Sequence, residues 1–345
     1  VIAARRGRWT LAGAAFTDKV IPVFYDGYEM RAWEMPLGRQ LSQLRGVARR
    51  SYRKLKRKQP YTGFFTAFLN LTESLRRNGY DVRINDFALA RRSPDRPIAI
   101  AGHQSVWSDV DLPNPTLFGP GWVPYPDRAE AMLAERNYQI VTQPSEWPIR
   151  LYTPQVAAKM APMFVGIDTD RWPLLAENRK QIDCVIYNKI RWNHAAREAD
   201  TMQPLRAMLD RRGLSSVELK YGEHELAEYR SALAKGRALI FVTEHETQGL
   251  AYQEAMSSGV PVFAWDEGEL VDPLGAKFVP EGLEVSAVPY FDDRCGLRWT
   301  RANMEDRFED FWARLPEYQP REYILDELSL ERGARRFLNL FERIA

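Results

Sequence analysis

The sequence predicts an α/β chain of two Rossmann-like domains. Short apolar runs alternate with helical stretches along most of the 345 residues, the pattern of parallel sheets covered by helices on both faces. The alternation also occurs twice, on either side of a Pro-punctuated, hinge-like stretch from Pro144 to Pro173. A chain of this length accommodates about two domains of ~150 residues. The first half predicts strands at Lys19–Tyr25, Tyr80–Ile84, Pro97–Ala101, Thr116–Gly119 and Tyr138–Val141. Helices are expected at Gly63–Arg77, with Phe64, Phe68, Leu71 and Leu75 on one face and Gly79 as its stop, and at Arg128–Arg136. The second half predicts strands at Asp183–Tyr187, Val217–Tyr221, Ala238–Val242 and Val260–Ala264, with helices near Met202–Arg212, His224–Lys235 and Leu250–Ser258. The expected division is 1–160 and 161–320, with a final helix over 321–345 that packs back onto the first domain.

Composition narrows the function. With 45% hydrophobic and 27% charged residues, disorder, collagen and disulfide-scaffold classes are excluded. Cys184 and Cys295 match no zinc-type spacing and suggest packing residues of a reducing compartment. No run approaches the ~18 apolar residues of a membrane span. Arg5 and Arg6 followed by Trp9–Phe16 approach an export signal, but Asp18 and Lys19 cut the apolar run, so it is read as mature chain. The net charge of +2 hides an asymmetry, because residues 1–60 carry 14 Lys/Arg against 4 Asp/Glu. Such a block suggests local contact with an anionic surface rather than a nucleic-acid binder.

The stretch from Thr243 to Val262 carries the most chemistry. A buried strand ends at Thr243, a turn bears Glu246, and Gly249 opens a helix whose first-turn amides suit a phosphate or a hydroxyl-rich ligand. Glu254 lies on that helix, so two carboxylates can converge on one cleft above the strand ends. Gly259, Val260 and Pro261 end the helix and start the next strand.

This stretch resembles the family 4 retaining glycosyltransferases of the GT-B fold, in which two Rossmann-like domains face each other across a cleft. Their mark is two glutamates separated by seven residues, then Ala-Met and Gly-Val-Pro-Val. Glu246 and Glu254 fit that spacing, and Gly249, Leu250, Ala255, Met256 and Gly259 to Val262 fit the surroundings. Thr247 and Gln248 depart from the Gly and Phe-like residue usual after the first glutamate. Val165 to Pro173 looks like the family's interdomain segment, and Pro60 to Phe65, with Gly63, loosely resembles its first glycine loop.

The resemblance implies a hexosyl transfer from a nucleotide-sugar donor to a glycan or lipid-linked acceptor, such as a cell-surface glycan precursor, with no cofactor and no metal. Glu254 would accept hydrogen bonds from ribose, and Glu246 from hydroxyls of the donor sugar. Lys189 stands where the family places an Arg for the diphosphate, but six residues on stands Ala195 rather than Lys, so Arg191 or Arg197 would substitute. The amides of Gly249, Leu250 and Ala251 complete the donor site, and His103 would line the cleft from the first domain. Trp107, Trp122 and Trp147 fall in loop-like stretches suited to sugar stacking.

Each residue also has a plainer reading. Paired glutamates begin many solvated helices, Lys189 and Arg191 can be surface cations, and His103 can be a satisfied loop histidine. Asp168 and Asp170, like Asp109 and Asp111, mimic an Asp-x-Asp metal signature, yet the first pair sits in the hinge-like segment. The rivals are a GT-B phosphorylase, a nicotinamide oxidoreductase, which lacks its G-x-G-x-x-G here, and a non-catalytic nucleotide- or membrane-binding scaffold.

Leu37 to Lys58 carries nine Lys/Arg and no acidic residue. On a helix, Leu37, Leu41, Leu44, Ala48, Tyr52 and Leu55 form one stripe. Such a helix lies on an anionic bilayer, or packs its stripe against the first domain with its cations solvated. The expected location is the cytoplasm, and the first alternative makes the protein peripheral at the inner face of a membrane.

Overall fold

The computed structural model describes residues 19–27, 30, 34, 36–55, 62–103, 109–176 and 180–345, apart from the side chains of Arg39 and Lys54. The export-signal-like N-terminus, Lys56 to Lys58, Pro60, Tyr61 and Trp107 lie outside the described residues.

The first sheet has six parallel strands, β1 (Val20–Asp26), β2 (Asp81–Ile84), β3 (Ile98–Gly102), β4 (Thr116–Gly121), β5 (Tyr138–Gln143) and β6 (Met160–Pro162), in the order β2-β1-β3-β4-β5-β6. The second has five, β7 (Ile182–Asn188), β8 (Ser216–Lys220), β9 (Gly236–Val242), β10 (Val262–Trp265) and β11 (Gly296–Trp299), ordered β11-β10-β9-β7-β8 and again parallel. Central strands such as β9 are apolar at successive positions because helices cover both faces.

Among the described residues the α-helices of six residues or more are α1 (Gly38–Leu55), α2 (Gly63–Arg77), α3 (Phe87–Arg92), α4 (Pro126–Glu135), α5 (Gln203–Arg211), α6 (Leu226–Lys235), α7 (Leu250–Ser257), α8 (Met304–Ala313), α9 (Pro320–Glu327) and α10 (Leu330–Phe341). The face of α2 that holds Phe68, Leu71 and Leu75 packs on Val23, Ala99 and Leu117 of the first sheet. Cys184 and Cys295 are free and buried in the second domain, where burial pushes both thiols up to about 12.

Two expectations need correction. The stretch from Pro144 to Pro173 is not hinge throughout, since β6 within it is the sixth strand of the first sheet. The last 25 residues are not one helix. Ser329 caps α10 by accepting a hydrogen bond from the Arg332 amide at 3.4 Å, and the break separates two destinations. Tyr323 and Ile324 of α9 pack into the second domain, whereas Phe337, Leu338 and Phe341 of α10 pack into the first.

The chain thus crosses between domains twice, and the two crossings touch. The Ile167 amide donates to Leu328 O at 2.8 Å. A Cβ on Gly166 would lie 2.5 Å from Ser329 O, so only glycine permits that approach. Arg77 of α2 reaches across to this segment, pairing with Asp168 at 3.1 Å and Asp170 at 2.9 Å.

The apolar stripe of α1 does not pack against the first domain. Leu37, Leu44, Tyr52 and Leu55 are 68%, 66%, 62% and 81% exposed, while Gly38, Ser42 and Gly46 are the buried residues of the helix.

Candidate active site

Loops at the C-terminal edges of the two sheets meet, with Trp147 after β5 donating to Glu246 O after β9 at 2.9 Å, and such edges are where open α/β sheets bind ligands. The loops after β7 and β9 meet there and hold each other. The buried Glu244 carboxylate accepts hydrogen bonds from the amides of Arg191, at 3.1 Å, and Trp192, at 3.1 Å. Lys189 is anchored by its amide, which donates to Val242 O at 2.8 Å.

This brings together two of the residues singled out in the sequence. The Lys189 ammonium pairs with Oε1 of Glu246, and also sits 4.6 Å from the centre of the Tyr221 ring. Glu246 is held by its main chain: its amide donates to Ser286 O at 3.0 Å, and Trp147 Nε1 donates to its carbonyl at 2.9 Å. Trp147 is therefore a buried clamp between domains rather than an open stacking platform. Beside it lies a cavity of about 610 Å³, lined by Glu146, Trp147, Asp266, Ser286, Tyr290 and Arg298.

Arg191 takes a different direction. Its guanidinium stacks on Trp192 and donates to His245 O at 3.0 Å. His245 stacks on the same indole, with ring centres 4.8 Å apart. Burial, helped by Arg191, pushes its pKa down to about 3, so its imidazole is neutral. Arg197 pairs with Asp200 at 2.8 Å.

Gly249 opens α7 with φ +83°, and a Cβ there would strike the Tyr252 ring at 2.2 Å, which explains glycine on both counts. The first-turn amides of Leu250 and Ala251 have no acceptor within the helix, as at any helix start. Glu254, on the same helix, has its own surroundings. It is half-buried, hydrogen-bonded by the Trp172 side chain and near Arg230 and Arg171. Burial outweighs those cations and pushes its pKa up to about 8. The two glutamates thus face different cations, Glu246 toward Lys189 and Glu254 toward Arg230 and Arg171.

From the first domain, His103 follows β3 and lies between Phe64 and Trp122, ring centres 6.4 Å and 6.2 Å away. Burial lowers its pKa. Gly63 begins α2 beside it, with Thr62 Oγ1 accepting from the Phe65 amide at 3.3 Å, and a Cβ at Gly63 would meet nothing within 4 Å. Asp168 accepts from Arg77 and from the amides of Asp170 and Arg171, so it serves the interdomain crossing. Asp111 lies 3.6 Å from Arg136. Among the described residues no group of three or more His, Cys, Asp or Glu is placed to hold a metal ion.

Glu244 and His245 carry no signal of spacing or motif, and Gln248 stands out only as a departure from the family pattern. Gln248 stands where the resemblance departs, and its position explains the departure. Its buried amide accepts from Val165 N at 2.9 Å and donates to Val165 O at 2.7 Å and to Gln253 at 3.0 Å. The donor-side loop is thereby tied to the interdomain segment. Gln248→Ala strands the Val165 amide and carbonyl and should lower stability by about 1–3 kcal/mol. A thermal or urea unfolding midpoint equal to wild type would show that the link carries no weight.

The fold is GT-B. A search of solved structures finds a lipopolysaccharide outer core galactosyltransferase, WaaB, at TM-score 0.51 and 9% identity, covering 94% of this chain and 99% of that one. The sucrose-phosphate synthase of Thermosynechococcus elongatus matches at TM-score 0.49 and 10% identity over 94% of this chain and 99% of its own. AviGT4, a glycosyltransferase of avilamycin A biosynthesis, matches at 0.46 and 12%, covering 82% and 90%. No protein-family model matches the chain, and no curated protein matches it by sequence.

Proposed function

We propose that the chain is a nucleotide-sugar-dependent glycosyltransferase of the retaining, family 4 type, acting without a metal or other cofactor on a glycan or lipid-linked acceptor. The observation that carries this reading is the Lys189–Glu246 pair at the C-terminal edge of the second sheet. It sets a cation for a diphosphate beside a carboxylate for sugar hydroxyls, on the strand edge that leads to α7.

In this reading the bond from the sugar anomeric carbon to the diphosphate breaks while a bond to an acceptor hydroxyl forms on the same face. The acceptor proton passes to the departing diphosphate. Negative charge develops on that diphosphate, where Lys189 and the Leu250 and Ala251 amides stabilise it. Glu246 accepts from hydroxyls of the transferred sugar and Glu254 from the ribose. Approach of the domains excludes water and limits hydrolysis of the donor.

The test is a panel of UDP-, GDP-, ADP- and dTDP-sugars with excess EDTA. The expected result is slow hydrolysis of one nucleotide class with the anomeric configuration kept, and a thermal shift with the matching diphosphate. Neither hydrolysis nor a shift with any of the four would sink the reading. Complete loss of activity in EDTA, restored by Mn²⁺, would overturn the charge-stabilising role given to Lys189.

A further inference from the structure

We propose that the cavity beside Trp147 is a second binding site, one that takes a small organic ammonium ligand. At about 610 Å³ it has the size of a small-molecule site. Both domains build it: Ser145, Glu146 and Trp147 come from the loop after β5, and Asp266 and Glu284 from the connection between β10 and β11. It is distinct from the Lys189–Glu246 pair. Trp147 and Ser286, in its wall, hold the Glu246 main chain, and neither Lys189 nor Glu246 is among its described lining residues.

Charge selects the ligand. Among the described residues the cavity is lined by four carboxylates, those of Glu146, Asp266, Glu267 and Glu284, against one cation, Arg298. Two of the four are engaged. Asp266 accepts from Ser286 Oγ at 2.7 Å and from the Ala287 amide at 3.0 Å, and faces Arg298 at 3.5 Å. Glu267 accepts from Trp265 Nε1 at 2.8 Å and pairs with Arg301 at 3.2 Å. Glu146 and Glu284, one from each domain, are exposed, and among the described residues their carboxylates have no hydrogen-bond or ion-pair partner. Such a field repels a diphosphate or a phosphorylated acceptor and attracts a cation. Among the described residues no group of three or more His, Cys, Asp or Glu is placed to hold a metal ion, so the cation that suits these carboxylates is a larger one that spans them. Trp147 and Tyr290 in the wall favour it further, since aromatic rings attract ammonium groups.

Ser145 adds a signal that does not depend on charge. It lines the cavity and is 4% exposed, and among the described residues its hydroxyl has no hydrogen-bond partner. A buried hydroxyl left unpaired destabilises the free protein. An ammonium brings three donors and no acceptor. In the occupied site the Ser145 oxygen accepts from it, and Glu146 and Glu284 balance its charge from the two domains. The site does not rest on the sugar-transfer reading, and its test needs no nucleotide sugar.

The experiment is calorimetric titration of the full chain at low salt with glucosamine and with spermidine, and with N-acetylglucosamine as a neutral counterpart. At least one amine should bind saturably at one site, and more weakly as salt is raised. N-acetylglucosamine should bind roughly tenfold more weakly than the tighter amine. The Glu146→Gln/Glu284→Gln variant should lose roughly tenfold in amine affinity and keep the wild-type unfolding midpoint, because both carboxylates already face water. Ser145→Ala should lose about fivefold at an unchanged or higher midpoint, since the hydroxyl it removes has no partner in the free protein. Absence of saturable binding by either amine overturns the proposal. So does amine affinity that the double variant leaves unchanged, which would place the amine elsewhere on the surface. N-acetylglucosamine binding as tightly as the amines also overturns it, because the cavity would then select for the sugar ring and not for charge.

Discussion

Glu246→Gln should lower turnover of the nucleotide sugar that wild type hydrolyses by roughly 10²-fold, with little change in affinity for the free diphosphate. The carboxylate is fixed by its own backbone, through Ser286 and Trp147, so the amide variant keeps its position and loses only charge and acceptor capacity. Glu246→Ala is a poorer probe by itself. It leaves the Lys189 ammonium, whose side chain is 15% exposed, without its carboxylate, and an uncompensated charge so placed destabilises the fold. The pair variant Lys189→Ala/Glu246→Ala separates the two effects: stability should recover toward wild type while turnover stays low. Lys189→Ala alone should weaken diphosphate binding, which Glu246→Gln does not. Turnover of Glu246→Gln within twofold of wild type, roughly the scatter of such measurements, would remove Glu246 from the reaction.

Most of the architecture was legible because buried parallel strands announce themselves. The Gly63–Arg77 helix has its expected bounds, and the strand ending at Val242 needs only apolar run and turn to be found. What escaped was amphiphilic or broken by charge. β11 carries Arg298 between Leu297 and Trp299, and β6 is three residues with a Pro at its end. The break at Ser329 was hidden because the residues on either side keep helical periodicity; tertiary contacts with Gly166 and Ile167 decide it. The site shows the same division. Spacing located Glu246, Gly249 and Glu254, but the pairing of Lys189 with Glu246 depends on the loop after β7. The Glu244 carboxylate sets that loop through two backbone amides, a role no spacing rule reports. Arg191 illustrates the cost, since its charge is near the site and its guanidinium is spent on Trp192 and His245 O.

Glu254 gives the second large effect, and it is a dependence on pH. Its carboxyl titrates near 8 in the folded chain, against an ordinary value of 4.5, because burial outweighs Arg230 and Arg171. Between those two values the native chain keeps a proton that the unfolded chain has lost, so stability falls as pH rises from about 4.5 to 8 and is flat outside that window. Glu254→Gln removes this slope. The difference in unfolding free energy between variant and wild type should therefore grow by about 4 kcal/mol across the window, in favour of the variant at pH 8. Comparing the two proteins cancels the contributions of His103, His245 and other groups they share. Nucleotide binding should move the opposite way. Ribose hydroxyls donate to the ionised carboxylate, so binding expels the proton, and wild-type affinity should rise by ~5-fold from pH 7 to 8 relative to Glu254→Gln. At pH 8 the variant should bind the diphosphate about 10-fold more weakly, although it is the more stable protein. Parallel stability profiles for the two would mean that Glu254 is already ionised and solvated at neutral pH. A loss of affinity in Glu254→Gln that did not vary with pH would leave the ribose contact standing and refute the buried proton.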